Sequence, residues 1–259
     1  MVPKKMKSIN IGLLSAMPEE IGNTIDNLEN VTSKEYGDLK IYQGRLKKKV
    51  TNYESVYITL AWSGWGKVSA ARAITRILAS VNKIDLIIFT GVAGAANNNL
   101  SQWDIVIAEE VIQHDMDARP IFKKFVLPPL NKARLKSENF FKDWIFSSLT
   151  TSKENGNLIG FGQIKKGLIG TGDKFISDQS VIKSLRDEIP NLEAIEMEGG
   201  AVAQVAEQEG IPWAIVRVIS DGADANSELD FDQFIKDYVL SSWKLLDCLL
   251  KDIPKILNK

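Results

Sequence analysis

The sequence contains one cysteine, one histidine and no excess of charge of either sign. Its 259 residues include 32 Lys and Arg against 33 Asp and Glu, for a formal net charge of -1. A lone cysteine, Cys248, excludes an intrachain disulfide framework and is typical of a reducing compartment. A lone histidine, His114, excludes any site that needs two histidines, and no metal is predicted. Without a basic excess, no nucleic-acid partner is expected.

Long hydrophobic runs are also missing. The apolar run at residues 9–17 follows three lysines, as in a signal peptide, but Asn10 interrupts it and Pro18 follows without a plausible cleavage site. The run therefore predicts a buried first strand. No other run approaches the length of a membrane span. We expect a cytoplasmic protein with no membrane partner.

Short apolar runs alternate with helical periodicity along the whole chain. Strands are predicted at residues 8–15, 39–46, 55–61, 85–90, 104–108, 165–170 and 213–219, and helices at residues 68–79, 139–149, 179–186 and 231–250. This alternation predicts one α/β domain over residues 1–259, a three-layer αβα arrangement with a central mixed, mainly parallel sheet. Residues 114–136 lack periodicity and predict a functional loop or an interface.

Several predicted strands end in small, glycine-rich or acidic turns. These turns lie at residues 15–17, 63–64, 90–91, 171–172 and 220–221. In α/β sheets, ligands bind at the carboxyl ends of strands, so the turns could line one pocket. They could equally be short connections, but five in one chain favour a pocket.

Three familiar motifs fail on inspection. The segment Gly64-Trp65-Gly66-Lys67-Val68 resembles a P-loop without its first glycine and without its Ser or Thr. Residues 91–94 lack the full spacing of a dinucleotide fingerprint. No G-x-S-x-G elbow exists to accompany the only histidine. An ATPase, a dehydrogenase and a serine hydrolase are therefore unsupported.

The carboxylates are more informative. Asp221 directly follows an apolar strand, and a carboxyl group buried at that point can carry a proton near neutral pH. An ionised Glu elsewhere in the same pocket could activate water. Such an acid and base together are what cleavage of a glycosidic bond requires.

Six blocks in order resemble the 5′-methylthioadenosine/S-adenosylhomocysteine nucleosidases. They are IGLLSAMPEE at 11–20, SGWGKV at 63–68, TGVAG at 90–94, GTGDKFI at 170–176, EME at 196–198 and RVISD at 217–221. The resemblance implies a nucleoside phosphorylase-like fold. It also implies hydrolysis of the adenine–ribose bond in 5′-methylthioadenosine, S-adenosylhomocysteine or 5′-deoxyadenosine, without a cofactor.

The resemblance also implies a role for individual residues. Glu20 would activate the attacking water, and Asp221, held by Ser220, would protonate adenine N7. Glu198 would bind the ribose 2′- and 3′-hydroxyls. Met197 would pack on the sugar, the Phe175 ring would stack on the base, and the backbone of Phe175 and Ile176 would read the adenine edge. The other expected substrate contacts are Met17, Trp65, Val92, Ala93, Gly94, Glu196, Arg217 and Phe231, with Glu196 in a supporting role. A homodimer is implied, with residues 114–122 near the neighbouring active site.

Some positions depart from the family pattern. Val92 stands where many members have Ser, Trp65 replaces a smaller aliphatic residue, and the segment after Pro120 diverges. The preferred 5′ group therefore stays open.

Three alternatives accompany the nucleosidase hypothesis. They are a 6-amino-6-deoxyfutalosine hydrolase, a phosphate-dependent purine nucleoside phosphorylase and a non-catalytic ligand-binding or storage relative. A phosphorylase needs cationic phosphate ligands, but an acidic pair follows the first strand and the first arginine is Arg45. Because a carboxylate pair repels phosphate, hydrolysis is favoured.

Overall fold

The computed structural model describes residues 6–224 and 227–256. The strands are β1 (Met6–Ser15), β2 (Leu28–Tyr36), β3 (Leu39–Leu46), β4 (Tyr53–Trp62), β5 (Leu86–Ala95), β6 (Ile105–Gln113), β7 (Leu135–Lys136), β8 (Ile164–Thr171), β9 (Leu192–Glu196) and β10 (Trp213–Asp221). The helices are α1 (Lys67–Ser80), α2 (Asn139–Glu154), α3 (Gln179–Glu188), α4 (Gly199–Gln208), α5 (Ser227–Tyr238) and α6 (Ser242–Lys251). Two short 3₁₀ helices, Pro18–Glu20 and Ile25–Asn27, follow β1.

The strands form one mixed sheet in the order β10-β6-β8-β9-β5-β1-β4-β3-β2, with β7 beside β6. β10 also pairs with β5, so β5, β10, β6, β8 and β9 close on themselves. β4, β1, β5 and β10 are parallel neighbours, as are β6, β8 and β9. The pairs β10–β6 and β5–β9 are antiparallel. The closure brings the ends of β5, β9 and β10 to one place.

Helices cover both faces of this sheet. Ile74 and Ile77 of α1 and Val202 of α4 belong to one buried cluster, while Ile145 of α2 and Leu249 of α6 belong to another. Central strands are buried on both sides and read as continuous apolar runs, as in other covered sheets. The predicted α/β class with a central sheet between helix layers is confirmed. No helix within residues 6–224 and 227–256 is long and apolar enough to cross a membrane.

The structure differs from the sequence prediction in several elements. β2 was not predicted, because most of its residues are exposed and polar and give no alternation. β9 was missed because it has only five residues.

The single closing helix predicted at residues 231–250 is wrong. It is two helices, α5 and α6, separated by residues 239–241. The Ser242 hydroxyl donates to the Val239 carbonyl oxygen at 3.3 Å, a local side-chain bond that competes with helical bonding. A Cβ atom on Gly22 would lie 2.4 Å from the same hydroxyl oxygen, so the break packs closely against the segment that carries Glu20.

Candidate active site

The ends of β1, β5, β9 and β10 surround one cavity. Its lining residues are Ala16, Met17, Glu20, Trp65, Val92, Ala93, Gly94, Phe175, Ile195, Glu196, Met197, Glu198, Ser220, Asp221 and Phe231. Thirteen of these belong to the fifteen site residues predicted from the sequence. Ile176, another predicted residue, lines an adjoining hollow that shares Phe175 and Asp221. Sequence reasoning missed Ala16 and Ile195, for which the only signal was adjacency to Met17 and Glu196.

Arg217, predicted as a substrate contact, lies behind the cavity wall. Its side chain is fully buried and is absent from the lining. Nη2 donates to Glu196, Nη1 donates to the Thr90 carbonyl oxygen at 3.0 Å, and the guanidinium carbon lies 3.9 Å from the centre of the Phe89 ring. The arginine therefore contacts the carboxylates that line the cavity and supports them from behind.

Glu20 owes its position to the turn that follows β1. Pro18 opens the 3₁₀ helix, where its missing N–H is not needed, and Glu20 bends back toward the start of that helix. Its Oε2 accepts the N–H groups of Ala16 and Met17 at 2.8 and 2.9 Å, and its Oε1 accepts that of Val92 at 2.9 Å. Burial raises the pKa of Glu20, while Arg217 and these three donors oppose the rise.

Gly91 makes the approach of Glu20 to Arg217 possible. Its φ is +150°, and a Cβ atom there would lie 2.3 Å from Glu20 Oε1 and 2.3 Å from Arg217 Nη1. Any side chain would occupy the space in which the carboxylate and the guanidinium meet. Gly91, which was predicted to lie in a turn, thus lies within β5 where the Glu20 and Arg217 side chains approach each other closely.

Glu196 is occupied entirely by protein donors. It stands before α4 and accepts the N–H groups of Glu198 and Gly199 at 3.0 and 2.7 Å. The Thr171 hydroxyl and Arg217 Nη2 also donate to it. A carboxylate at a helix N-terminus with these donors stabilises the local fold.

Glu198 lies close to two other buried carboxyl groups, Glu196 and Glu20. Burial and then the neighbouring Glu196 raise the pKa of Glu198 to about 8, and Glu20 adds to the rise. Two groups act in the opposite sense: Arg217, whose Nη2 lies 3.8 Å from Oε2, and the Gly66 N–H, which donates to Oε1 at 2.7 Å. Burial and the repulsion from Glu196 therefore favour the protonated form of Glu198.

Asp221 is turned into the cavity by an irregularity in β10. The register between β5 and β10 shifts between Ile219 and Asp221, as at a β-bulge. Consecutive residues of a regular strand face opposite sides, but here both Ser220 and Asp221 line the cavity. Asp221 Oδ1 accepts the Ala223 N–H at 2.9 Å, and the Ser220 hydroxyl donates to Oδ2 at 2.7 Å.

Three aromatic rings form a row along the cavity. The Phe231 ring meets Trp65 and Phe175 edge-on, each with a centroid separation of 6.0 Å. Trp65 is 53% exposed and Phe175 is 38% exposed, so both rings have free surface for a ligand. Aromatic faces of this kind suit a planar base or an apolar substituent.

The charges that line the cavity are all acidic. Its titratable lining residues are Glu20, Glu196, Glu198 and Asp221, and no Lys or Arg is among the lining residues that the structure describes. Over the same described ranges, no group of three or more His, Cys, Asp and Glu is placed to bind a metal ion. The arrangement can supply a proton donor and a carboxylate base. The described lining of the main cavity offers no cation to an anionic nucleophile, and Lys174 lines only the adjoining hollow.

Comparisons with known proteins agree with this geometry. The model of the phosphorylase superfamily matches residues 10–251. A 5′-methylthioadenosine/S-adenosylhomocysteine nucleosidase from Anoxybacillus flavithermus is 32% identical over 247 residues, which cover 95% of this chain and all of that protein. A solved S-adenosylhomocysteine nucleosidase from Streptococcus pyogenes, in complex with 5-methylthiotubericidin, has a TM-score of 0.83 at 30% identity. That alignment covers 97% of this chain and all of the other.

A futalosine hydrolase from Helicobacter pylori is also similar. Its TM-score is 0.79 at 26% identity, over 93% of this chain and 97% of that one. Full-length matches at these levels are family relationships. The chain therefore belongs to the phosphorylase superfamily and, within it, to the 5′-methylthioadenosine/S-adenosylhomocysteine nucleosidases, which are N-glycosidic hydrolases.

Proposed function

We propose that this protein, acting as one domain and without a cofactor, hydrolyses the N-glycosidic bond of 5′-substituted adenosines and releases adenine. The observation that carries the proposal is a cavity in which Asp221 and Glu20 accompany Glu198, with no cationic side chain in the described lining. The relatives are named for 5′-methylthioadenosine and S-adenosylhomocysteine, and these are the first substrates to consider. 5′-Deoxyadenosine is a third.

Asp221 is the proposed proton donor to adenine N7. Adenine leaves poorly as an anion, so protonation of the base lowers the barrier to bond cleavage. The Ser220 hydroxyl lies 2.7 Å from Asp221 Oδ2 and 3.3 Å from the Ala93 carbonyl oxygen. The Ser220 hydroxyl can donate to only one of these two oxygens at a time. It can therefore turn from one oxygen to the other when Asp221 gains or loses its proton.

Glu20 is the proposed base that activates water. Three backbone N–H groups fix its carboxylate before any ligand enters. As the glycosidic bond breaks, positive charge develops on the ribose, and the nearby Glu20 and Glu198 stabilise it. The raised pKa of Glu20 also makes its carboxylate a stronger base toward water.

Glu198 is the proposed ligand of the ribose 2′- and 3′-hydroxyls. Hydroxyl groups donate best to an ionised carboxylate, so the productive form of the free protein has lost the Glu198 proton. With a pKa of about 8, that form increases as the pH rises. We therefore expect kcat/KM to rise with pH below about 8.

The remaining lining residues are assigned to the base, the sugar and the 5′ group. Phe175 stacks on adenine, the backbone of Phe175 and Ile176 reads its edge, and Met197 packs on the sugar. Trp65 and Phe231 contact each other at the edge of the cavity, and Gly66, the residue after Trp65, donates its N–H to Glu198. We assign these two rings to the 5′ substituent. The other lining residues that we assign to substrate contact are Met17, Val92, Ala93 and Gly94.

Adenine release tests the proposed function directly. Purified protein should release adenine from 5′-methylthioadenosine and S-adenosylhomocysteine at rates that do not depend on added phosphate, because no lining cation binds an anion. Initial rates with and without phosphate, measured for both nucleosides, for 5′-deoxyadenosine and for 6-amino-6-deoxyfutalosine, also rank the 5′ groups. Strict dependence on phosphate contradicts hydrolysis. No release from any of the four nucleosides favours a non-catalytic role.

Asp221→Asn removes the proposed proton donor while keeping the shape of the side chain. Turnover should fall by about 10²–10⁴-fold, the usual contribution of a positioned proton transfer. The melting temperature should stay close to that of the wild type. Single-turnover adenine release and thermal unfolding on the same preparations check both expectations. Near-normal turnover would refute the assignment of Asp221.

The variant Glu198→Gln should become more stable relative to the wild type as the pH rises. Between about pH 4.5 and 8, the folded wild type keeps a proton that the unfolded chain has lost, so its free energy of unfolding falls as the pH rises. The stability difference in favour of the variant should therefore grow from pH 5 to pH 9.

Urea unfolding at pH 5, 7 and 9 measures this difference. Glu209→Gln, which replaces an exposed glutamate, is the matched control and should follow the wild type. A constant difference between Glu198→Gln and the wild type across the three pH values would show that Glu198 does not hold the proton.

We also propose that the protein works as a homodimer in the cytoplasm. The support for the dimer is the family resemblance, in which residues 114–122 lie near the neighbouring active site. Two of the three rings of this cavity's aromatic row, Trp65 and Phe175, are exposed, which leaves room for a second chain. Light scattering coupled to gel filtration should give a mass of about two chains, and a mass of one chain at micromolar concentration would contradict the dimer.

A further inference from the structure

Three loops meet beside Glu198 through one small charged cluster. Lys67 Nζ lies 2.6 Å from Asp115 Oδ1 and 3.8 Å from Asp173 Oδ2. The Lys67 N–H donates to Asp173 Oδ1 at 2.7 Å, and the Asp173 N–H donates to Asp115 Oδ2 at 3.0 Å. We call Lys67, Asp115 and Asp173 the clasp. It joins the loops that follow β4, β6 and β8.

The clasp is linked to the cavity by one peptide group. Gly66, directly before Lys67, donates its N–H to Glu198 Oε1 at 2.7 Å. A Cβ atom on Gly66 would lie 3.1 Å from Asp173 Oδ1, and its φ is +92°, so this short segment is closely fitted against Asp173. The Asp173 carboxylate, which accepts the Lys67 N–H, therefore also sets the position of the Gly66 N–H.

We propose that the clasp is a positioning device for Glu198, which acts by holding the Gly66 N–H against its carboxyl group. The proposal deepens the proposed function and rests on it for the ribose role of Glu198. Lys67, Asp115 and Asp173 are not among the residues that line the cavity. Asp173 is the central member, because it receives the Lys67 N–H and also fits against Gly66.

The geometry separates the clasp from an ordinary surface ion pair. The side chains of Lys67, Asp115 and Asp173 are 20%, 34% and 49% exposed, and isolated pairs at such sites contribute little to stability. Here, however, the two carboxylates accept backbone N–H groups from different loops as well as the lysine ammonium group. Such bonds fix the relative positions of the loops, so the expected effect of the clasp is on geometry more than on stability.

The expected effect on the ionisation of Glu198 depends on the charged and polar groups around it. Glu196 of β9 and Glu20 of the first 3₁₀ helix favour the protonated form, whereas Arg217 of β10 and the Gly66 N–H favour the ionised form. When the clasp is lost, the Gly66 N–H is no longer held in place, and one of the two groups that favour ionisation is weakened. Glu198 should then ionise at higher pH and bind the ribose hydroxyls less well.

Asp173→Ala and Asp173→Asn are the test pair. Alanine removes the acceptor of the Lys67 N–H, but asparagine keeps an oxygen at that position. Lys132→Met is the matched control, because it removes a 2.8 Å ion pair with Glu207 at a site away from the cavity. All variants are made in the full chain, and their melting temperatures are measured alongside.

Two readouts are needed. In ligand-free protein labelled with ¹³C at the glutamate carboxyl groups, the Glu198 resonance is assigned with Glu198→Gln and titrated. Its midpoint should move upward by about half a unit or more in Asp173→Ala and return toward the wild-type value in Asp173→Asn. In adenine-release assays, Asp173→Ala should raise KM about tenfold, with kcat changed less, since the lost bond to a charged group accounts for about that factor.

The outcomes separate the two proposals. An unchanged midpoint and KM in Asp173→Ala, or equal effects in Asp173→Ala, Asp173→Asn and Lys132→Met, would overturn the positioning role. If the wild type releases no adenine, the proposed function fails, and the titration midpoint alone still decides whether the clasp positions Glu198.

Discussion

One buried guanidinium group organises the chemistry of this protein. Arg217 is wholly enclosed, so its charge must be paired within the protein. Glu196 pairs with it directly, Glu198 lies 3.8 Å away, and Glu20 approaches it across Gly91. One cation does not compensate three buried carboxylates, and the charge imbalance is reduced when one of them keeps a proton. Glu196 has four donors and Glu20 has three backbone N–H groups, whereas Glu198 has only one backbone donor. This difference in donors favours the protonated form of Glu198, the carboxyl group that the substrate is proposed to contact.

The fold creates this cluster by bringing β5 and β10 together as parallel neighbours. Arg217 pairs in register with Gly91, so the longest buried side chain of β10 lies opposite a residue of β5 that has no side chain. Two residues further along β5, the β10 register shifts, and Ser220 and Asp221 both reach the cavity. Arg217 behind the cavity wall and Asp221 in the cavity are thus positioned by the same pair of strands.

The alternation of apolar runs and helical periodicity predicted the α/β class, whereas most of the cavity residues were predicted from the resemblance of six blocks to a known family. Apolar runs mark the strands, and the motifs at their ends identify the turns that converge. Arg217 was predicted to contact the substrate but lies behind the cavity wall. A motif locates a residue near a site without saying which side of the strand its side chain occupies. The bulge that turns Asp221 inward comes from pairing between β5 and β10, which are more than a hundred residues apart. The clasp has the same origin, since Lys67, Asp115 and Asp173 become neighbours only after three strands are in place.

The same electrostatics explain why water is a better nucleophile here than phosphate. A phosphorylase must bring a dianion to the sugar, and it needs unpaired cations to do so. Among the described lining residues there is none, and Arg217, the cation behind the wall, already has Glu196, Thr90 and the Phe89 ring as partners. Moving it toward a ligand would leave Glu196 buried without its counter-ion, at a cost of several kcal/mol for an isolated buried charge. A neutral water molecule meets no such penalty, and carboxylates that would repel phosphate can accept its proton. The structural role of Arg217 and the hydrolytic chemistry are therefore two consequences of one arrangement of charge.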